Sequence, residues 1–130
     1  MACMKLHELV FSMVITVCAV GIAFAHHPYG ATYVENDTTQ IEGKLVQFDF
    51  KDPHSFIQIE SKDDKGQVVR WNVEWAAATQ LQSQGVTARS LKYGDVFTIA
   101  GNPGKLPEEH RIRLLTLKRK SDSYSWGAIH

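Results

Sequence analysis

Three of the chain's six histidines stand where they could act together as metal ligands: the adjacent pair His26-His27, and His54 in the turn Asp52-Pro53-His54. The pair follows an apolar run, Leu9 to Phe24, which ends in Ala23-Phe24-Ala25, the small-x-small pattern read by signal peptidase. Cleavage after Ala25 gives His26 a free α-amino group. An α-amine titrates near pH ~7.7–8, so a metal ion can displace its proton at neutral pH. That amine and the His26 ring Nδ1 can chelate one ion. A further imidazole, from His54 or His27, completes a T-shaped set of three nitrogens, the histidine brace. Planar nitrogen donors suit Cu(II), which also leads the divalent affinity order, so copper is the expected ion. A rigid Asp-Pro turn fixes where the next side chain points. This suits His54 as a ligand, and it equally suits a histidine that bonds a backbone carbonyl. Asp52 could orient an imidazole as an acceptor, or simply cap the turn.

Other residue types with chemical potential have plainer readings. Trp71 and Trp75 share one face of a strand; core packing is the usual role, and ligand stacking is the alternative if they are exposed. Glu74 falls on the opposite face and reads as a solvated charge, with a carboxylate near a metal as the remoter alternative. Arg111, Arg113, Lys118, Arg119 and Lys120 read as a solvated strand edge rather than a polyanion site. His110 lies beside two glutamates in a loop. No nucleophile elbow, phosphate-binding glycine loop or HExxH motif occurs, and no enzymatic activity is expected.

Composition narrows the class. Removing residues 1–25 leaves 26–130, a chain of 105 residues, enough for one domain with a small core. Both cysteines, Cys3 and Cys18, go with the leader, so disulfides, thiolate metal sites and redox thiols are excluded from the mature chain. Losing Lys5 and Glu8 from fourteen basic and fourteen acidic residues leaves thirteen of each. A neutral chain has no strong electrostatic pull on nucleic acid or an anionic membrane. Small, neutral, cysteine-free and exported, it fits a bacterial periplasmic protein.

The elements that must position these residues read as strands. An arm, residues 26–39, carries turn clusters and should lie across the domain. Gln40 to Phe50 alternates as Ile41, Gly43, Leu45, then changes phase to Val46, Phe48, Phe50. Such a phase change implies a β-bulge, with Gly43 permitting a bend. Asp52-Pro53 ends that strand. Ser55 to Ser61 and Val68 to Trp75 form a hairpin about the charged turn Lys62–Gly66. Ala76 to Gln84 favours helix, with Leu81 as its apolar anchor and Gly85 where a terminating glycine belongs. Thr87 could cap a further short turn. Val96 to Gly101 and Arg111 to Lys118 are the last strands, and the polar tail 121–130 should be loosely docked or disordered. The order β-β-β-α-β-β in residues 40–120 is that of an all-β, five-stranded OB-fold-like barrel with one short helix.

Ala25-His26-His27, the Asp-Pro-His turn, Trp71-x-x-x-Trp75, Gly85, and Leu91-Lys92-Tyr93-Gly94-Asp95-Val96 together resemble a family of small exported bacterial proteins known only as a domain of unknown function. That family carries Ala-His-His after the leader and an Asn-Pro-His turn, where this chain has Asp52. The resemblance implies an OB-like fold and export, and brings no established activity. The expected function is a periplasmic binding protein for a transition metal, acting by binding, buffering or delivery to another periplasmic protein. The rival is a metal-free OB-like module for a small ligand, glycan or protein partner. Neither nucleic acid nor, once the leader is gone, a membrane is an expected partner.

Overall fold

A computed structural model of the chain describes residues 28–127. The leader, its cleavage point, His26, His27 and His130 lie outside the described residues. The chain divides after Ala31 into two units. The described part of the first is a 3-10 turn, Tyr29–Ala31, closed by the Ala31 amide donating to the Pro28 carbonyl at 2.8 Å.

The second unit is a closed β-barrel. Its strands are β1 (Thr39–Asp49), β2 (Phe56–Lys62), β3 (Val68–Glu74), β4 (Val96–Pro103) and β5 (Arg111–Arg119), with one helix, α1 (Ala78–Ser83), between β3 and β4. β1 pairs antiparallel with both β2 and β4, β2 with β3, and β4 with β5. A short parallel pairing of β3 with β5, from Asn72↔Arg111 to Glu74↔Arg113, closes the ring. The five-stranded OB-like topology expected from the order of elements is therefore the one observed.

β1 has to serve two neighbours. Its first half, Thr39 to Lys44, faces β4, and its second half, from Lys44 to Asp49, faces β2. The register slips between Leu45 and Gln47, so Val46 is the extra residue of a bulge where the alternation changes phase. Gly43 sits at the crossing. A Cβ there would run into the Ile59 side chain and the Glu60 carbonyl, so only glycine lets β2 approach so closely.

Inward positions of every strand build the core: Leu45, Ile57, Ile59, Val73, Phe97, Ile99, Ile112 and Leu117 are buried. α1 closes one end with Leu81. It starts two residues later than propensity predicts, because Trp75 and Ala76 still pair with Ser55, through Trp75 N to Ser55 O at 2.8 Å and Ser55 N to Ala76 O at 3.0 Å. At its other end Gly85, at φ 82°, donates to Gln82 O while Val86 donates to Leu81 O. These two bonds are a Schellman motif, and Val86 is buried with Leu81 as that motif favours.

The tail departs from expectation. Ser125–Trp126 form a sixth strand, β6, against Leu117 and Lys118 of β5. The Trp126 ring lies edge-on to Trp75 at 5.1 Å, and its indole N–H donates to Gln84 Oε1 at 2.8 Å. Two aromatic side chains outweigh the polar residues around them, since Tyr124 also packs on the barrel beneath the Arg119 guanidinium. Arg119 is itself no solvated edge residue. It pairs with Asp95 at 3.3 Å and Asp122 at 3.2 Å, and donates to the Ser90 carbonyl.

Candidate functional site

His54 is held by the loop that joins β1 to β2, and that loop is fastened to the start of α1. The first amides of a helix lack partners within it. Here the Lys51 carbonyl accepts from Ala78 N, and Asp52 Oδ1 accepts from both Thr79 N and Thr79 Oγ1, all at 3.1 Å. Asp52 thus ties the loop to the first turn of α1. The Asp52-Pro53 peptide is cis. Buried Ser55 closes the loop from below, exchanging hydrogen bonds with the Lys51 backbone at 3.2 Å.

The carboxylate beside the imidazole is Glu74. Its Oε1 lies 2.6 Å from His54 Nδ1, and its Oε2 accepts from the Tyr33 hydroxyl at 2.5 Å. A ring nitrogen this close to a carboxylate oxygen donates its N–H to it, which leaves Nε2 as the ring's other nitrogen. Glu74 is only 8 % exposed and Tyr33 2 %, whereas the His54 side chain keeps 41 % of its surface open. The reading of Glu74 as a solvated charge is corrected by this burial. Its outward face was assigned rightly, but the barrel exterior is covered at that point by the arm.

The arm is tied down along residues 33–38. Val34 N donates to Pro103 O at 2.9 Å, and Tyr33 bridges to Gly104. The buried Asn102 side chain donates to the carbonyls of Glu35 and Asp37. Burial, the hydrogen bond to Glu74 and the Glu74 charge all push the Tyr33 hydroxyl pKa well above its ordinary value, opposed by the nearby Arg111 guanidinium. Arg113, opposite Glu74 in the ladder, reaches Glu35 at 3.5 Å.

Of the residues singled out in the sequence, His54 is therefore in a built polar site, Asp52 supports its loop, and His26 and His27 lie outside the described residues. Among the described residues no cluster of three or more His, Cys, Asp or Glu could hold a metal ion by itself. The tryptophans divide. Trp75 is 3 % exposed and packs between Phe48 and Trp126, so it is core. Trp71 is half-buried, meets His110 edge-on at 5.2 Å, and lines two clefts of about 410 and 320 Å³. Tyr33 was missed, and Glu74 was singled out mainly as a solvated charge. The hairpin register places Phe56 opposite Glu74, so His54 and Glu74 emerge at the same end of β2 and β3, a signal available from the position of the turn.

No helix among the described residues is long and apolar enough to cross a membrane. No curated protein and no solved structure matches the chain. A family model does match, over residues 14–113, which takes in the arm, the His54 loop, Glu74 and the strands that carry them. The chain accordingly belongs to the family of unknown function DUF6152.

Proposed function

We propose that this protein is exported, begins at His26 once residues 1–25 are removed, and binds one transition-metal ion, copper, for buffering or delivery. The His26 α-amine and ring form a chelate, and His54 Nε2 adds an imidazole, with His27 the other candidate donor. The observation that carries this reading is the 2.6 Å contact between His54 Nδ1 and Glu74. Histidines that ligate metals almost always donate their other ring N–H to a carboxylate, carbonyl or water, which fixes the ring and raises its basicity. Planar nitrogen donors suit Cu(II), which also leads the divalent affinity order.

The test is a Cu(II) titration of protein that begins at His26, followed by EPR. One equivalent bound with nitrogen hyperfine splitting is expected. His54→Ala and a single added N-terminal residue should each weaken it by tenfold or more, a loss of about 1.4 kcal/mol or greater. Binding indifferent to both changes would overturn the reading. The rival, a metal-free module for a small ligand, glycan or protein, rests on Trp71 and its two clefts.

A further inference from the structure

Glu74 is an expensive choice for its position. A β-branched or aromatic residue would suit the last place in β3, whereas a buried carboxylate must recover its lost hydration from specific partners. Among the described residues the His54 ring sits on Oε1 and the Tyr33 hydroxyl donates to Oε2. The arm does not need this carboxylate in order to dock. The Val34–Pro103 bond, the Tyr33–Gly104 bridge and the two bonds from Asn102 already fasten it.

We propose that Tyr33 and Glu74 are positioning residues for His54, acting in series. Glu74 holds the Nδ1–H so that Nε2 is the donor atom, and Tyr33, by occupying the second oxygen, fixes the plane and rotamer of the carboxylate. This rests on the metal reading in so far as His54 is the ligand being presented. It adds a coupling to that reading. Tyr33 belongs to the arm, so His54 is held ready only while the arm is docked on the barrel. Copper affinity should then depend on arm docking as well as on the donor atoms. His54 faces Glu74 from β3, and Arg111 from β5 stands beside the Tyr33 hydroxyl, so the charged groups around the series come from both strands.

The experiment uses ¹⁵N-labelled protein beginning at His26, first without metal. At one neutral pH the wild type should give a strongly downfield, slowly exchanging His54 Nδ1–H signal and a single ring tautomer. Tyr33→Phe should speed exchange of that proton and populate the second tautomer. Glu74→Gln should move the signal upfield, and it carries the same test should Tyr33→Phe fail to fold. Lys120→Ala, which removes only the exposed pair with Glu42, serves as the structural control and should leave the tautomer unchanged. In Cu(II) titrations Glu74→Gln should lose about 10- to 100-fold in affinity, and Tyr33→Phe about tenfold. A folded Tyr33→Phe protein with wild-type exchange and tautomer overturns the proposal. If the wild type binds no copper while the metal-free signals behave as stated, the metal reading fails and the positioning series stands.

Discussion

The Tyr33 hydroxyl is buried against a carboxylate, and that arrangement sets a pH dependence. In the unfolded chain Tyr33 ionises near its ordinary value of about 10. In the fold, burial and the neighbouring Glu74 keep it protonated to higher pH. Its contribution to stability is therefore complete below about pH 10 and is lost as the pH rises beyond it, because the unfolded state then binds fewer protons than the native one. Urea midpoints measured from pH 8 to 11 should fall more steeply for the wild type than for Tyr33→Phe. Parallel curves would show that the fold does not hold that proton. At this scale the sequence was half legible. His54 could be chosen because a histidine after a rigid Asp-Pro turn is a distinctive arrangement. Glu74 could not, because strand alternation reports which face a side chain takes and not what covers that face. The cover comes from a residue 41 positions earlier in the chain, a long-range contact with no local signal.

At the scale of elements, the change of phase in β1 was readable because a slip of one residue moves every later side chain to the other face. Ile41 and Leu45 point into the barrel before the slip, and Val46 is the residue left over. The same crossing makes Gly43 sensitive to any side chain. Gly43→Ala should destabilise the barrel by about 1–3 kcal/mol, since the Glu60 backbone carbonyl cannot move aside without opening the β1–β2 ladder. Chemical denaturation would measure this directly; a loss below about 0.5 kcal/mol would mean that the two strands separate easily there. Element boundaries were less legible where two elements compete for one backbone. Ala76 and Ala77 look helical by composition next to Ala78, yet the Ala76 carbonyl is taken by the Ser55 amide. The tail was misjudged for a related reason. Its polar majority predicts a loose end, while Tyr124 and Trp126 find apolar surface on β5 and Trp75 that only the closed barrel provides.

For the whole molecule, the barrel and the proposed site stand in different thermodynamic relations to the chain's start. The closed ladder, the core around Ile57, Ile59, Phe97 and Ile99, and the docked arm from Tyr33 onward all lie downstream of residue 31. A protein with extra residues before His26 should consequently fold with the same metal-free stability as one that begins there. Copper should separate the two. An ion that binds only the native state at a hundredfold excess over its Kd adds about 2.7 kcal/mol of stability. That corresponds to a rise in Tm on the order of 10 °C for a domain of this size. The rise is expected only for the chain beginning at His26, because an amide at that residue lacks the free amine's ability to chelate. It should shrink in His54→Ala, where one imidazole is gone, and in Glu74→Gln, where the imidazole is no longer held. Equal copper-induced shifts in the processed and extended chains would assign the binding to scattered histidines and remove the amino terminus from the site.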